Sequence, residues 1–163
     1  MVLTVTSDDL VHNASMFRRV LLAFLVATSI HAADPWTGVW KMDPAKSQFP
    51  GEPPKDVVLT YQPDPAGFRF TSTGKLQDGT PYSYHYTAAP GGKDYPVTGH
   101  ASFDTVSIEW KAPVLVTRYK RQGKILATHE SNFDSGGKVM TDRTEWKTPD
   151  GGSLLTIAHF DKQ

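Results

Sequence analysis

From Val57 onward, apolar and polar side chains alternate in short runs that turn residues interrupt. Val57, Leu59 and Tyr61 share one face of the first clear run. Similar runs cover residues 68–73, 82–87, 106–110, 114–121, 124–133, 139–147 and 154–160. A period of two is typical of strands with one buried face, and no stretch after Pro35 keeps a helical period. The pattern predicts eight to ten short β-strands.

The connections between these runs are short. Asp78-Gly79 and Gln122-Gly123 are typical of tight hairpins, and the other breaks contain proline or glycine pairs. Parallel strands need crossover helices, for which the chain leaves no room, so we expect a sequential antiparallel sheet. Closing such a meander into an up-and-down barrel buries its apolar face and removes its edges. A two-sheet sandwich with Greek-key links is the alternative.

The segment before the first clear run is less regular. Trp36 to Lys41 opens the predicted domain as a strand. The proline-rich stretch that follows, residues 44–54, predicts an irregular loop with one helical turn at residues 44–47.

The beginning of the chain predicts export. Arg18 and Arg19 precede an apolar run from Val20 to Ile30, and Ala32 follows it. A basic segment, a short apolar core and a small residue are the parts of a secretory signal, and the run is too short for a membrane anchor. We therefore expect residues 16–32 to be removed and the exported domain, residues 33–163, to be periplasmic or extracellular, with no remaining membrane span.

Residues 1–15 do not fit this signal. Asp8 and Asp9 oppose the positive charge that export favours, so we expect translation to start at Met16.

Composition removes several classes of function. The chain has 17 Lys and Arg against 17 Asp and Glu, and each set loses two members within residues 1–32. A neutral domain has no field that attracts nucleic acid or anionic membranes. Cysteine is absent, which excludes disulfides, thiolate metal sites and cysteine nucleophiles. The composition does not indicate the oligomeric state.

The opening strand resembles that of the calycin group, the lipocalins and fatty-acid-binding proteins. It contains an aromatic residue followed by Gly-x-Trp, here Gly38 and Trp40. By this resemblance Gly38 permits a sharp bend and Trp40 plugs the closed end of a barrel. In lipocalins a late arginine packs across this tryptophan, a role open to Arg118 or Arg143.

A resemblance to small exported lipocalin-like proteins of acidobacteria spans almost all of residues 33–163. It is carried by residues 38–47 and by residues 92–99, Gly-Lys-Asp-Tyr-Pro-Val-Thr-Gly. It implies the barrel and no activity. The Arg-x-Tyr pair that holds a fatty-acid carboxylate is missing, because Arg118 and Tyr119 are adjacent and point to opposite faces. Carboxylate binding is therefore not implied.

Signals for catalysis or metal binding are weak. No two histidines have the local spacing of a metal pair, so we expect scattered surface histidines, no metal and no cofactor. His129 and Glu130 are neighbours on opposite strand faces and form no dyad. Serine has no nucleophile motif around it, and the glycine pairs are turns. The sequence predicts a protein that is not an enzyme.

A stripe of tyrosines is the most suggestive feature for binding. Three phenols on one strand face could line a cavity that is apolar in its body and polar at its rim, or they could form ordinary core or an outer aromatic stripe. Arg143 and Glu145 share a face that points either into a cavity or to solvent. The candidate ligand-binding residues are Tyr82, Tyr84, Tyr86, Trp110, Arg118 and Arg143.

Three functions are compatible with this fold. The favoured one is binding of a small apolar or amphipathic molecule inside the barrel. The others are a secreted interaction or inhibitor module that acts through its loops, and a calycin-type isomerase or cyclase. A solidly packed barrel would leave only the interaction module, whereas an open cavity with two converging ionisable groups would favour the isomerase.

Overall fold

The computed structural model describes residues 34–163. The predicted upstream extension, residues 1–15, and the predicted signal, residues 16–32, lie outside the described residues.

Strands and short turns make up the described chain. Its ten strands are β1 (Gly38–Gln48), β2 (Lys55–Asp64), β3 (Gly67–Lys75), β4 (Pro81–Ala88), β5 (Asp94–Pro96), β6 (Thr105–Lys111), β7 (Val114–Arg121), β8 (Lys124–Phe133), β9 (Val139–Lys147) and β10 (Ser153–Lys162).

All ten strands belong to one antiparallel sheet in the order β4-β3-β2-β1-β10-β9-β8-β7-β6-β5. The first and last strands pair, with Trp40 opposite Lys162. The two outer strands of this order, β4 and β5, approach each other through a backbone bridge in which the amides of His85 and Thr98 each donate to the other's carbonyl at 2.9 Å. The predicted antiparallel meander closed as a barrel is confirmed, and the two-sheet alternative is wrong.

The predicted helical turn at residues 44–47 is wrong, because β1 continues to Gln48. The pairing with β10 shifts register between Asp43 and Gln48. Within this irregular stretch the Ser47 hydroxyl donates to the Asp43 carbonyl at 2.7 Å, and the Asp43 carboxylate accepts from the amide of Ala45 at 3.0 Å. These local bonds satisfy backbone groups that the shifted ladder leaves unpaired, so proline is accommodated inside a bulged strand.

One end of the barrel is packed solid around Trp40, whose side chain is 0% exposed. Its ring lies 5.6 Å from that of Phe133, and its indole Nε1 donates to the carbonyl of Trp36 at 2.8 Å. Trp36 in turn packs on Phe68 and Trp110. Buried aromatic rings with edge or tilted geometry contribute strongly to a core, so this cluster closes the barrel at the β2–β3 end.

A lysine takes the place that the resemblance assigned to an arginine. The Nζ atom of Lys162 lies over the Trp40 ring at 5.0 Å from its centre. A Cβ at Gly38, where φ is +134°, would come within 2.6 Å of Lys162 Cε. The expectation that Arg118 or Arg143 covers Trp40 is therefore wrong, because pairing of β1 with β10 brings the chain's last lysine there instead.

Within residues 34–163, no helix is long and apolar enough to cross a bilayer.

Candidate functional site: the barrel cavity

The barrel encloses an open cavity of about 760 Å³ at the end opposite Trp40. Its mouth is formed by the β1–β2 connection (residues 49–54), the β3–β4 turn at Leu76 and Gln77, the connection at residues 99–103, and Leu154. The body is lined by inward side chains from most of the strands, including Leu59, Phe70 and Phe160. A mostly apolar hollow of this size is typical of small-molecule sites in proteins.

The tyrosine stripe divides between cavity and core. Tyr82 and Tyr84 line the cavity. Tyr86 lies deeper, buried against Phe70 with stacked rings 4.7 Å apart, and is not part of the lining. The Tyr84 hydroxyl oxygen is 3.5 Å from that of Tyr119 on β7. Tyr82 and Tyr84 therefore belong to the cavity wall, and Tyr86 supports the wall beneath them.

The three other predicted ligand-binding residues lie away from the cavity lining. Trp110 faces inward, but at the closed end, with its ring 5.0 Å from that of Trp36. Arg118 lies on the outer surface, where its guanidinium donates to the Glu109 carboxylate at 2.8 Å.

Arg143 is also on the outer face, with its guanidinium 3.6 Å from the Glu130 carboxylate. The inward interpretation of both arginines is corrected by strand alternation. Thr117 and Tyr119 occupy the inward positions of β7, and Asp142 and Thr144 occupy those of β9.

A histidine–aspartate pair lies in the cavity wall. His129 Nδ1 is 3.2 Å from Asp142 Oδ2, and the Thr144 hydroxyl donates to Asp142 Oδ1 at 3.2 Å. Because a carboxylate only accepts hydrogen bonds, Nδ1 carries the proton in this contact. His129 Nε2 is buried and has no partner among the described residues. The expectation that all histidines lie at the surface is wrong for His129.

The sequence analysis did not find this pair, although a signal was present. His129 shares its strand face with Ala127 and Phe133, and Asp142 shares its face with Met140 and Trp146. A polar residue that shares its strand face with apolar residues is expected to point into the barrel. Their proximity depends on the β8–β9 register, in which Ser131 is opposite Asp142.

A second histidine lies near the mouth. The ring of His100 stacks on Phe103 at 3.5 Å and meets Tyr84 edge-on at 5.0 Å. Burial lowers the pKa of His100 below its usual value. This neutral aromatic surface extends the apolar lining toward the rim.

Four buried tyrosines have pKa values that burial raises, which makes the stability of the fold depend on alkaline pH. Burial raises the pKa of Tyr84 to about 12, and it raises the pKa of Tyr61, Tyr86 and Tyr119 well above the usual value. Between the unfolded value of 10.0 and these raised values, the folded state binds more protons than the unfolded state. The contribution of these tyrosines to the free energy of unfolding is therefore complete below pH 10, and it is lost as the pH rises above 10.

We expect the free energy of unfolding to fall by about 2 kcal/mol from Tyr84 alone by pH 12. Chemical denaturation at a series of alkaline pH values measures this loss, and Tyr84→Phe should reduce it. Ultraviolet titration of the folded protein should show some of the six tyrosines ionising late. If all six ionise together near pH 10, the hydroxyls are not buried as described.

The described cavity lining holds few charges. They are Asp142 in the wall and Glu52 at the mouth, whose carboxylate is 3.0 Å from Lys55 Nζ. Within residues 34–163, no group of three His, Asp or Glu side chains is placed to hold a metal ion. The arrangement can accommodate an apolar body, and its wall contains one polar pair, His129 and Asp142.

Comparisons with known proteins add little to this picture. No protein-family model and no curated protein sequence matches the chain. Among solved structures, the chain is similar to zebrafish ileal bile acid-binding protein complexed with cholic acid, with 11% identity, 79% of this chain and 99% of that chain covered, and a TM-score of 0.49. A likeness at this level identifies no ligand here. The relationship to acidobacterial exported proteins stays a prediction.

Proposed function

We propose that this protein binds a small amphipathic molecule inside its barrel. The observation that carries the proposal is the open cavity of about 760 Å³, apolar over most of its wall and polar at His129 and Asp142. A packed barrel would have needed no such space, and unfilled apolar volume is costly to a fold. Ligand pockets typically measure about 300 to 1,000 Å³ and combine an apolar lining with a few polar groups.

The apolar part of the ligand would lie against the rings and aliphatic side chains of the body. Aromatic rings supply much of this surface, among them Phe103, Tyr119 and Trp146. Burying the ligand's own apolar surface there would provide most of the binding free energy, and the polar groups would set its orientation.

Filling the cavity should weaken ligand binding. Thr156 is a cavity-lining residue on β10, and its neighbour Leu155 points outward with 45% exposure. We expect Thr156→Trp to weaken binding of Nile red, a neutral environment-sensitive dye, by about tenfold or more, because the indole occupies the ligand's space. Fluorescence titration of the purified protein measures the affinity.

Leu155→Trp is the matched control, since it adds the same ring one residue away on the outer face of the strand. It should leave Nile red binding unchanged. Equal dye binding by both variants, with circular dichroism showing both to be folded, would mean that the dye does not enter the cavity and would count against the proposal.

The converging pair of His129 and Asp142 also supports an isomerase as a second candidate. A carboxylate that holds a histidine Nδ1–H orients the ring and leaves Nε2 as the basic nitrogen, although here Nε2 is buried and a substrate would reach it only after the cavity wall opens. Native mass spectrometry of protein from its own host serves both candidates. A small molecule recovered unchanged after incubation supports binding, whereas conversion that His129→Gln abolishes supports catalysis.

Export remains part of the proposal. Its support is the basic and apolar segment at residues 16–32. Sequencing the amino terminus of protein recovered outside the cytoplasm would locate the cleavage site, for which we expect Ala33 as the first residue.

A further inference from the structure

Aromatic residues of the cavity wall form one connected series, which we call the aromatic belt. Each ring comes from a different part of the fold: β3, β4, the connection at residues 99–103, β7, β8 and β9. At one end of the belt the Phe70 ring is 5.8 Å from the ring of Tyr84. Following the order of strands around the barrel, the belt runs along the wall from β3 to β9. Its members are Phe70, Tyr84, Phe103, Tyr119, His129 and Trp146.

Contacts between neighbouring rings hold the belt together. The Tyr84 ring is 5.4 Å from that of Phe103 and 6.2 Å from that of Tyr119. The Tyr119 ring is also 4.5 Å from Phe103 and 4.6 Å from His129. The belt ends at Trp146, whose ring is 5.9 Å from that of His129. Because each ring is wedged against its neighbours, little side-chain freedom remains to be lost when a ligand binds.

The rings of the belt are inclined to one another. The planes of the contacting pairs meet at angles between 47° and 83°. Edge-to-face and offset-stacked contacts are the favoured geometries of aromatic pairs. A wall of inclined rings can therefore offer both kinds of contact to a further ring.

The remainder of the wall differs from the belt. It is formed by β10, β1 and β2, which lie between the two ends of the belt in the strand order. The cavity-lining side chains of these three strands are mainly aliphatic, and Tyr61 and Phe160 are the rings among them. A ligand that fills the cavity meets rings on one side and aliphatic groups on the other. The aliphatic members include Met42, Val57, Leu59 and Ala158.

We propose that the ligand has a planar, conjugated ring system that packs against the aromatic belt, while its saturated part faces β1, β2 and β10. This inference rests on the proposed binding function and narrows it to one chemical class. Aromatic pairs gain more than the burial of their area alone provides. A rigid ring system also loses less conformational freedom on binding than an alkyl chain does.

Three neutral compounds with one carbon skeleton and one hydroxyl group test this preference. 4-Phenylphenol has two aromatic rings, 4-cyclohexylphenol has one and 4-cyclohexylcyclohexanol has none. Calorimetric titration of the purified protein should rank them in this order, with 4-phenylphenol binding about fivefold more tightly than 4-cyclohexylphenol. Saturating a ring adds hydrogens and therefore apolar surface, so burial of apolar area alone predicts the opposite order.

Trp146→Leu removes one ring of the belt and keeps an apolar side chain. It should lower the preference for 4-phenylphenol over 4-cyclohexylphenol by about threefold. The matched control is Trp110→Leu, because the Trp110 ring packs on Trp36 and lies outside the cavity lining. The control should leave the preference unchanged, with circular dichroism showing both variants to be folded. The ranking itself is measured on the unaltered protein, so the inference stays testable if either variant fails to fold.

Several results would overturn the aromatic assignment. One is a saturated alcohol that binds as tightly as 4-phenylphenol. Another is a preference for 4-phenylphenol that Trp146→Leu leaves intact or that Trp110→Leu lowers equally. Binding of Nile red without binding of 4-phenylphenol also counts against it. In each of these cases the cavity remains a binding site. If neither the dye nor any of the three compounds binds, the proposed function itself fails.

Discussion

Trp40→Ala should lower the free energy of unfolding by about 3 to 5 kcal/mol, the range for truncating a buried tryptophan. Trp40 is 0% exposed and packs on Phe133, so its loss leaves a void that the closed end cannot fill. The carbonyl of Trp36 also loses the indole donor that reaches it at 2.8 Å. Since a domain of this size is stable by about 5 to 15 kcal/mol, this loss removes a large fraction of its stability.

Urea denaturation followed by circular dichroism measures this loss. Trp40→Phe keeps an aromatic ring but removes the indole donor, so its cost should be smaller. Val39→Ala, at the neighbouring position with 39% exposure, should change stability by less than about 0.5 kcal/mol. A cost of Trp40→Ala no larger than that of Val39→Ala would show that the cluster is not a core.

Gly67→Ala should cost about 2 to 4 kcal/mol, from backbone strain and overpacking together. Gly67 has a φ of +125°, and a Cβ there would lie 2.3 Å from the carbonyl oxygen of Ala88. That oxygen belongs to the backbone at the end of β4, where Phe68 is opposite Ala88, so it cannot move without loss of strand pairing.

Gly91→Ala separates the two causes. Gly91 has a similar φ of +145°, but a Cβ there meets no atom within 4 Å. Its cost should be near 1 kcal/mol, from strain alone. Thermal or urea unfolding of both variants gives the comparison, and equal costs would show that the contact with Ala88 does not constrain the turn.

The candidate site was only partly accessible to sequence reasoning. Alternation placed Tyr82, Tyr84 and Tyr86 on one strand face, since successive strand residues point to opposite sides, but it left open whether that face points inward. It could not show which of the three lines the cavity, because that depends on the position of each residue along the barrel axis. Tyr86 is buried behind the lining, stacked on Phe70, whereas Tyr84 is itself part of the lining.

The arginines show the limit of single-strand patterns. Each strand has two faces, and an arginine among part-apolar neighbours fits either face by composition. Pairing with the neighbouring strand resolves the question, because Arg118 meets Glu109 and Arg143 meets Glu130 on the outer surface. The same pairing joins His129 to Asp142 inside, although the two are 13 positions apart in the chain.

The sequence by itself determined the strands, their antiparallel order and the barrel, because a period of two and hairpin-length turns are local properties of the chain. The tertiary structure decided what the barrel contains. Strand register sets which polar side chains converge, and closure between β1 and β10 brings Lys162 onto Trp40. The volume left between the packed end and the mouth depends on all strands at once, so no segment of the sequence reveals it.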